Sequence, residues 1–135
     1  MTDYQRLVRE WHEAKGVAVA DSLEFPSEAL AELRARLIME EAGEAMDALL
    51  ARGSLSEIAK ELADLLYVTF GTAVSLGIDL GPVFEEVHKS NMTKDAANRR
   101  ADGKILKGPN YVPPDIESVL LRQGGRRRRA NRDRP

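Results

Sequence analysis

Cysteine is absent from this 135-residue chain, which excludes a disulfide framework and a thiolate zinc site. Histidine is scarce: His12 and His88 alone are too few for an ordinary histidine-rich transition-metal centre. A metal site in this chain must therefore be built from oxygen, which selects Mg²⁺, Mn²⁺ or Ca²⁺. Aromatic residues make up 5%, and Ala and Leu prevail over Val and Ile, a balance that favours helix over sheet. No apolar run approaches the roughly 20 residues of a membrane span. The N-terminus, MTDYQRLVREW, carries charge where a signal peptide would carry an apolar stretch. A cytoplasmic protein without a membrane partner is expected.

The chain is 43% hydrophobic, enough at this length for one core. Its net charge of −2 is unevenly spread. From Arg122 to Pro135 seven arginines and one aspartate give +6, leaving −8 on the other 121 residues. So acidic a body argues against nucleic acid as the main ligand. The tail, RQGGRRRRANRDRP, has almost nothing to bury and is expected to be disordered. A domain over 1–121 and an Arg-rich tail over 122–135 follow, the tail being the one segment suited to nucleic acid.

Helical punctuation is dense. Thr2 and Gln5 have capping-box spacing for a first helix from Asp3 to Lys15, which Gly16 ends. Its apolar stripe is Leu7, Val8 and Trp11, which places Trp11 in the core and His12 at the surface. A loop runs to Pro26. Ser27 caps a second helix reaching about Arg52 before Gly53, with Leu30, Leu33, Leu37, Ile38, Ala45, Leu49 and Leu50 at helical spacing. Ser54 and Glu57 repeat the capping-box pattern for a third helix ending at Gly77. The short link between helices two and three requires them to pack antiparallel. Asp79 is placed to cap a fourth helix that tolerates Pro82 in its first turn and fades near Met92. Beyond Thr93 an ordered loop is expected, with Ile105 and Leu106 briefly extended, and then a short helix from Asp115 to Leu121. The fold class is all-α: an antiparallel four-helix bundle with a loop-rich C-terminal segment.

Carboxylates concentrate at two places. Helix two holds LIMEEAGEAMD, where Glu40, Glu41 and Glu44 share a sector at three- and four-residue spacings. Helix three holds EIAKELADLLY, where Glu61 and Asp64 are three apart, beside Leu62 and Leu65, both expected to be buried. No Lys or Arg lies between Arg36 and Arg52, and Lys60 is the basic neighbour on helix three. Facing clusters of like charge on packed helices are costly unless paired. A hard divalent cation, which takes several carboxylate oxygens, resolves the conflict. The competing reading is a solvated acidic face.

EEAGE followed after sixteen residues by ELAD resembles the EExxE…ExxD signature of the all-α nucleoside triphosphate pyrophosphohydrolases. That group includes MazG-like enzymes, phosphoribosyl-ATP pyrophosphohydrolase and dimeric dUTPases and dCTPases. The resemblance covers roughly Tyr4 to Pro114 and is nearest to MazG-like proteins of the phosphoribosyl-ATP pyrophosphohydrolase-like branch. VREWHEAKG, SNMTK and DGKILKGPNYVPPD also look like that branch. It implies that Glu40, Glu41, Glu44, Glu61 and Asp64 bind Mg²⁺, with Mn²⁺ as a substitute, and that Glu41 positions or deprotonates the attacking water. It also implies that Asn91 and Lys94 meet the nucleotide.

Lys89, Lys94, Arg99, Arg100, Lys104 and Lys107 fall within nineteen residues, a basic segment suited to phosphate oxygens. Lys104, Lys107 and Tyr111 are further substrate candidates, against the alternative of a solvated loop whose Tyr111 packs on the core. His88 is read as structural. The expected activity is Mg²⁺-dependent cleavage of a (deoxy)nucleoside triphosphate to monophosphate and pyrophosphate, a pool-housecleaning reaction. The alternatives are phosphoribosyl-ATP hydrolysis in histidine synthesis, or a non-catalytic helical protein binding nucleic acid through its Arg tail. Val8, Met46, Val68 and Val74 are apolar positions that one four-helix packing need not cover, and a homodimer or dimer of dimers is expected.

Overall fold

The computed structural model describes residues 1–132, and the side chains of residues 1–124. Five helices follow in order: α1 (Asp3–Lys15), α2 (Glu28–Ala51), α3 (Leu55–Leu76), α4 (Leu80–Asn91) and α5 (Ile116–Arg132). There is no strand among the described residues, only an isolated antiparallel bridge between Arg99 and Ile105. The fold is all-α, as the bundle-type pyrophosphohydrolases require. No single helix among the described residues is long and apolar enough to cross a membrane.

The chain divides into two compact units, Met1–Asp79 and Leu80–Pro135. In the first, α2 and α1 both pack on α3. Helix starts follow their caps. Thr2 accepts from the Gln5 amide, and Ser27 accepts from the Leu30 amide. Ser54 and Glu57 form a reciprocal capping box, with both bonds at 3.2 Å. Gly16 and Gly77 end α1 and α3 in the left-handed region, φ 69° and 68°, where glycine carries no Cβ penalty. The left-handed cap of α2 is Arg52, φ 51°, rather than the glycine after it.

The core of this unit is small-residue packing: Val8, Ala20, Ala45, Ala73 and Val74 are each at most 5% exposed. Val8 and Val74, expected to be left over for an interface, are therefore interior. Met46 is 56% exposed and stays available. The inward face of α1 is Gln5, Val8 and His12, not Leu7, Val8 and Trp11. His12 is 2% exposed and Trp11 44%, so both expectations for that pair are corrected. The cause is polar partners supplied from afar. Gln5 Nε2 donates to the Ile78 carbonyl at 2.6 Å, and His12 Nδ1 donates to the Ala18 carbonyl at 2.9 Å. Trp11 instead lies edge-on to Tyr67, ring centroids 6.0 Å apart. Leu62, expected to be buried, is 44% exposed, and Leu65 is half-buried.

In the second unit, α4 and α5 pack on one another, and the chain between them is ordered by side-chain to backbone bonds. Ser90 donates to the Val112 carbonyl and Thr93 accepts from the Val112 amide. Asp115 caps α5, taking bonds from the Ser118 amide and hydroxyl. That helix does not stop at Leu121: its backbone is helical through Arg132. The good helix propensity of arginine suits that extension. The last three residues of the expected tail lie outside the described residues.

Candidate functional site

The two acidic motifs meet on the seam between α2 and α3. Glu41, Glu61 and Asp64 each offer a carboxylate oxygen, and the three oxygens lie within 4.8 Å of one another. All three side chains are half-buried. Glu61 and Asp64 share a face because they are three apart, and the antiparallel packing of α2 brings Glu41 to that face. Glu44 lies three residues beyond Glu41, and its negative charge acts on the Glu41 carboxyl. Glu40 and Glu44 are exposed and lie outside the trio.

The trio is electrostatically unsatisfied. Glu41 Oε2 and Glu61 Oε2 are buried and have no hydrogen-bond partner among the described residues, an arrangement that normally costs free energy. Burial, and then the negative charges of Glu44, Asp64 and Glu61, push the Glu41 carboxyl above the ordinary range. Among the described residues the cation paired with the cluster is Lys60, the exposed basic neighbour on α3. Its Nζ donates to Asp64 Oδ2 at 2.7 Å and to Glu61 Oε1 at 3.2 Å. These two carboxylates, Asp64 first, hold its ammonium above the usual lysine range.

The donor set fits a hard divalent cation. It is oxygen alone, three carboxylates from two helices, with two oxygens lacking any donor. Lys60 is a partial substitute: it reaches Glu61 and Asp64 but leaves the orphaned oxygens of Glu41 and Glu61 unpaired.

The candidate substrate residues belong to the second unit. Asn91 ends α4 and is exposed, and its carbonyl accepts from the half-buried Lys94 amide at 3.1 Å. Lys104 and Lys107 are exposed on the loop. Lys107 Nζ sits 4.8 Å above the half-buried Tyr111 ring, a cation–π pair. His88 is exposed.

No curated protein matches the chain. The family model for phosphoribosyl-ATP pyrophosphohydrolase matches residues 8–91. That span is more than half of the chain and holds the five motif carboxylates, Lys60 and Asn91. This chain belongs to the phosphoribosyl-ATP pyrophosphohydrolase family.

Proposed function

We propose that this chain is a metal-dependent pyrophosphohydrolase that cleaves the α–β phosphoanhydride of a nucleoside triphosphate group. The observation that carries this reading is the convergence of Glu41, Glu61 and Asp64 with two orphaned carboxylate oxygens. These three residues would hold Mg²⁺ or Mn²⁺, with Glu40 and Glu44 as nearby acidic support. A bound ion would neutralise triphosphate charge and make water a stronger acid. Glu41 is the residue we assign to accept the proton of the attacking water. Its raised carboxyl pKa moves it toward neutral pH, where a general base is most effective. The charge of Glu44 contributes to that upward shift. Asn91, Lys94, Lys104 and the Lys107–Tyr111 pair are assigned to the phosphates and the nucleoside.

The family match moves the weight among substrates toward phosphoribosyl-ATP. Free (deoxy)nucleoside triphosphates are the second reading, supported by the MazG-like character of SNMTK and DGKILKGPNYVPPD. A homodimer completes the proposal: Leu33, Met46, Leu50 and Leu66 expose 46% to 74% of their surface, and a twofold contact is the simplest closed cover for such a face.

The test is pyrophosphate release from phosphoribosyl-ATP, ATP and a panel of ribo- and deoxynucleoside triphosphates, with Mg²⁺, Mn²⁺ or chelator. Release that requires metal is expected, with phosphoribosyl-ATP preferred. Preference for a deoxynucleotide would select the second reading. No release from any substrate with either metal would contradict the proposal.

A further inference from the structure

The first unit contains a buried cation that the carboxylate site does not use. Arg34 of α2 is 6% exposed, and among the described residues it forms no ion pair. Its Nη2 donates to the Val68 carbonyl at 2.8 Å and its Nε to Thr72 Oγ1 at 3.1 Å, both on α3. Thr72 Oγ1 donates in turn to the same Val68 carbonyl at 2.8 Å. Beneath Arg34 lies Gly71, in the interior of α3. A Cβ there would stand 2.5 Å from Arg34 Nη2 and 2.8 Å from His12 Nε2, so the glycine provides the room in which both side chains cross α3. Burying a guanidinium without a carboxylate is costly, and an apolar side chain would pack two helices at lower cost. What it adds is direction. Apolar contacts between Ala- and Leu-rich faces are non-directional, whereas a fork held by one carbonyl and one hydroxyl accepts one alignment.

That alignment is the one the acidic site needs. Glu41 lies seven residues after Arg34 on α2, and Glu61 lies seven residues before Val68 on α3. In an antiparallel pair these equal offsets put both contacts on one seam, roughly 10 Å apart along it at ~1.5 Å per residue. A one-residue slip turns α2 by about 100° relative to its partner face, which would carry Glu41 away from Glu61 and Asp64.

We propose that Arg34, accommodated by Gly71, is a positioning residue for the carboxylate trio: it fixes the α2–α3 register that brings Glu41 against Glu61 and Asp64. This rests on the metal-site reading given above.

The test measures Mn²⁺ affinity of the full chain by calorimetry and by electron paramagnetic resonance of free Mn²⁺. Wild type, Arg34→Met, Arg34→Lys and Gly71→Ala are compared, each well below its melting temperature, with Trp11 fluorescence reporting the folded fraction. Arg34→Met is expected to weaken Mn²⁺ binding by about tenfold or more while folded, the range seen when groups orienting metal ligands are removed. Arg34→Lys keeps the charge but loses the fork, and an intermediate loss is expected. Gly71→Ala should also weaken binding, although helix propensity alone favours alanine. In the Arg34→Met background it should cost less affinity than in wild type, since only the close approach to His12 then remains. A purely structural Arg34 would lower the melting temperature and leave the affinity of folded protein unchanged, and that result overturns the proposal. If Arg34→Met does not fold, wild-type affinity in both Arg34→Lys and Gly71→Ala overturns it equally. Absence of Mn²⁺ binding in wild type would instead remove the metal-site reading, and this proposal with it.

Discussion

Replacing His12 by glutamine should flatten the pH dependence of stability just below neutrality. The imidazole is 2% exposed. Its Nδ1–H is committed to the Ala18 carbonyl at 2.9 Å, and its Nε2 faces the same point as the Arg34 guanidinium. Burial, and then the nearby positive charge of Arg34, lower its pKa, partly opposed by the bond to Ala18. The folded state therefore holds His12 neutral, while the unfolded chain protonates it near the ordinary value of about 6.5. The stability is fully present above that value, falls as pH drops below it, and levels off beneath the folded-state pKa. Within that window one proton costs up to about 1.4 kcal/mol per pH unit. For a chain of this size that is roughly 4–7 °C of melting temperature per unit. Trp11, the single tryptophan, has its ring centroid 5.8 Å from that of His12 and reports unfolding directly. Melts of wild type and His12→Gln from pH 7.5 to 5.5 should diverge, the wild type losing more. Every other side chain is common to both proteins and cancels in the difference. Parallel curves would refute the assignment of a buried neutral imidazole.

Three further outcomes follow from the same geometry. Glu41→Gln and Asp64→Asn should each abolish metal-dependent hydrolysis with the helical circular dichroism spectrum intact, and retained turnover at saturating Mg²⁺ in both would exclude the trio as the site. Ser54→Ala removes the cap that holds the Glu57 amide and should cost about 1 kcal/mol of stability, read as a shift in denaturant midpoint, with the catalytic rate of folded enzyme unchanged. Lys60→Met frees Glu61 and Asp64 from an internal cation, so Mn²⁺ affinity should rise; a marked fall would mean that Lys60 supports the bound state instead of competing with it.

The helices were legible because their ends are chemically marked. Thr2, Ser27 and Ser54 cap where spacing placed them, and Gly16 and Gly77 stop α1 and α3. The meeting of the two acidic motifs was legible for the same reason: a short link between two capped helices leaves little freedom beyond antiparallel packing. The buried face of α1 was not legible. Apolar spacing pointed to Leu7 and Trp11, but Gln5 and His12 are buried because the Ile78 and Ala18 carbonyls satisfy them. Such partners lie elsewhere in the chain, and no local pattern announces them. Arg34 was unreadable in the same way, since its partners Val68 and Thr72 lie one helix away. The length of α5 was not legible, because composition weighs charge against burial and says little about how far a capped, arginine-rich segment continues as helix.

If this acidic seam hydrolyses an α–β phosphoanhydride with the help of a divalent metal ion, the products identify the bond that breaks. Phosphorus nuclear magnetic resonance of the products, with phosphoribosyl-ATP as substrate and Mg²⁺ present, tests this chemistry most directly. Pyrophosphate and the corresponding monophosphate are expected as paired products, appearing with wild type and absent with chelator or with Asp64→Asn. Orthophosphate with a diphosphate product, or equal turnover in the Asp64→Asn protein, would contradict it.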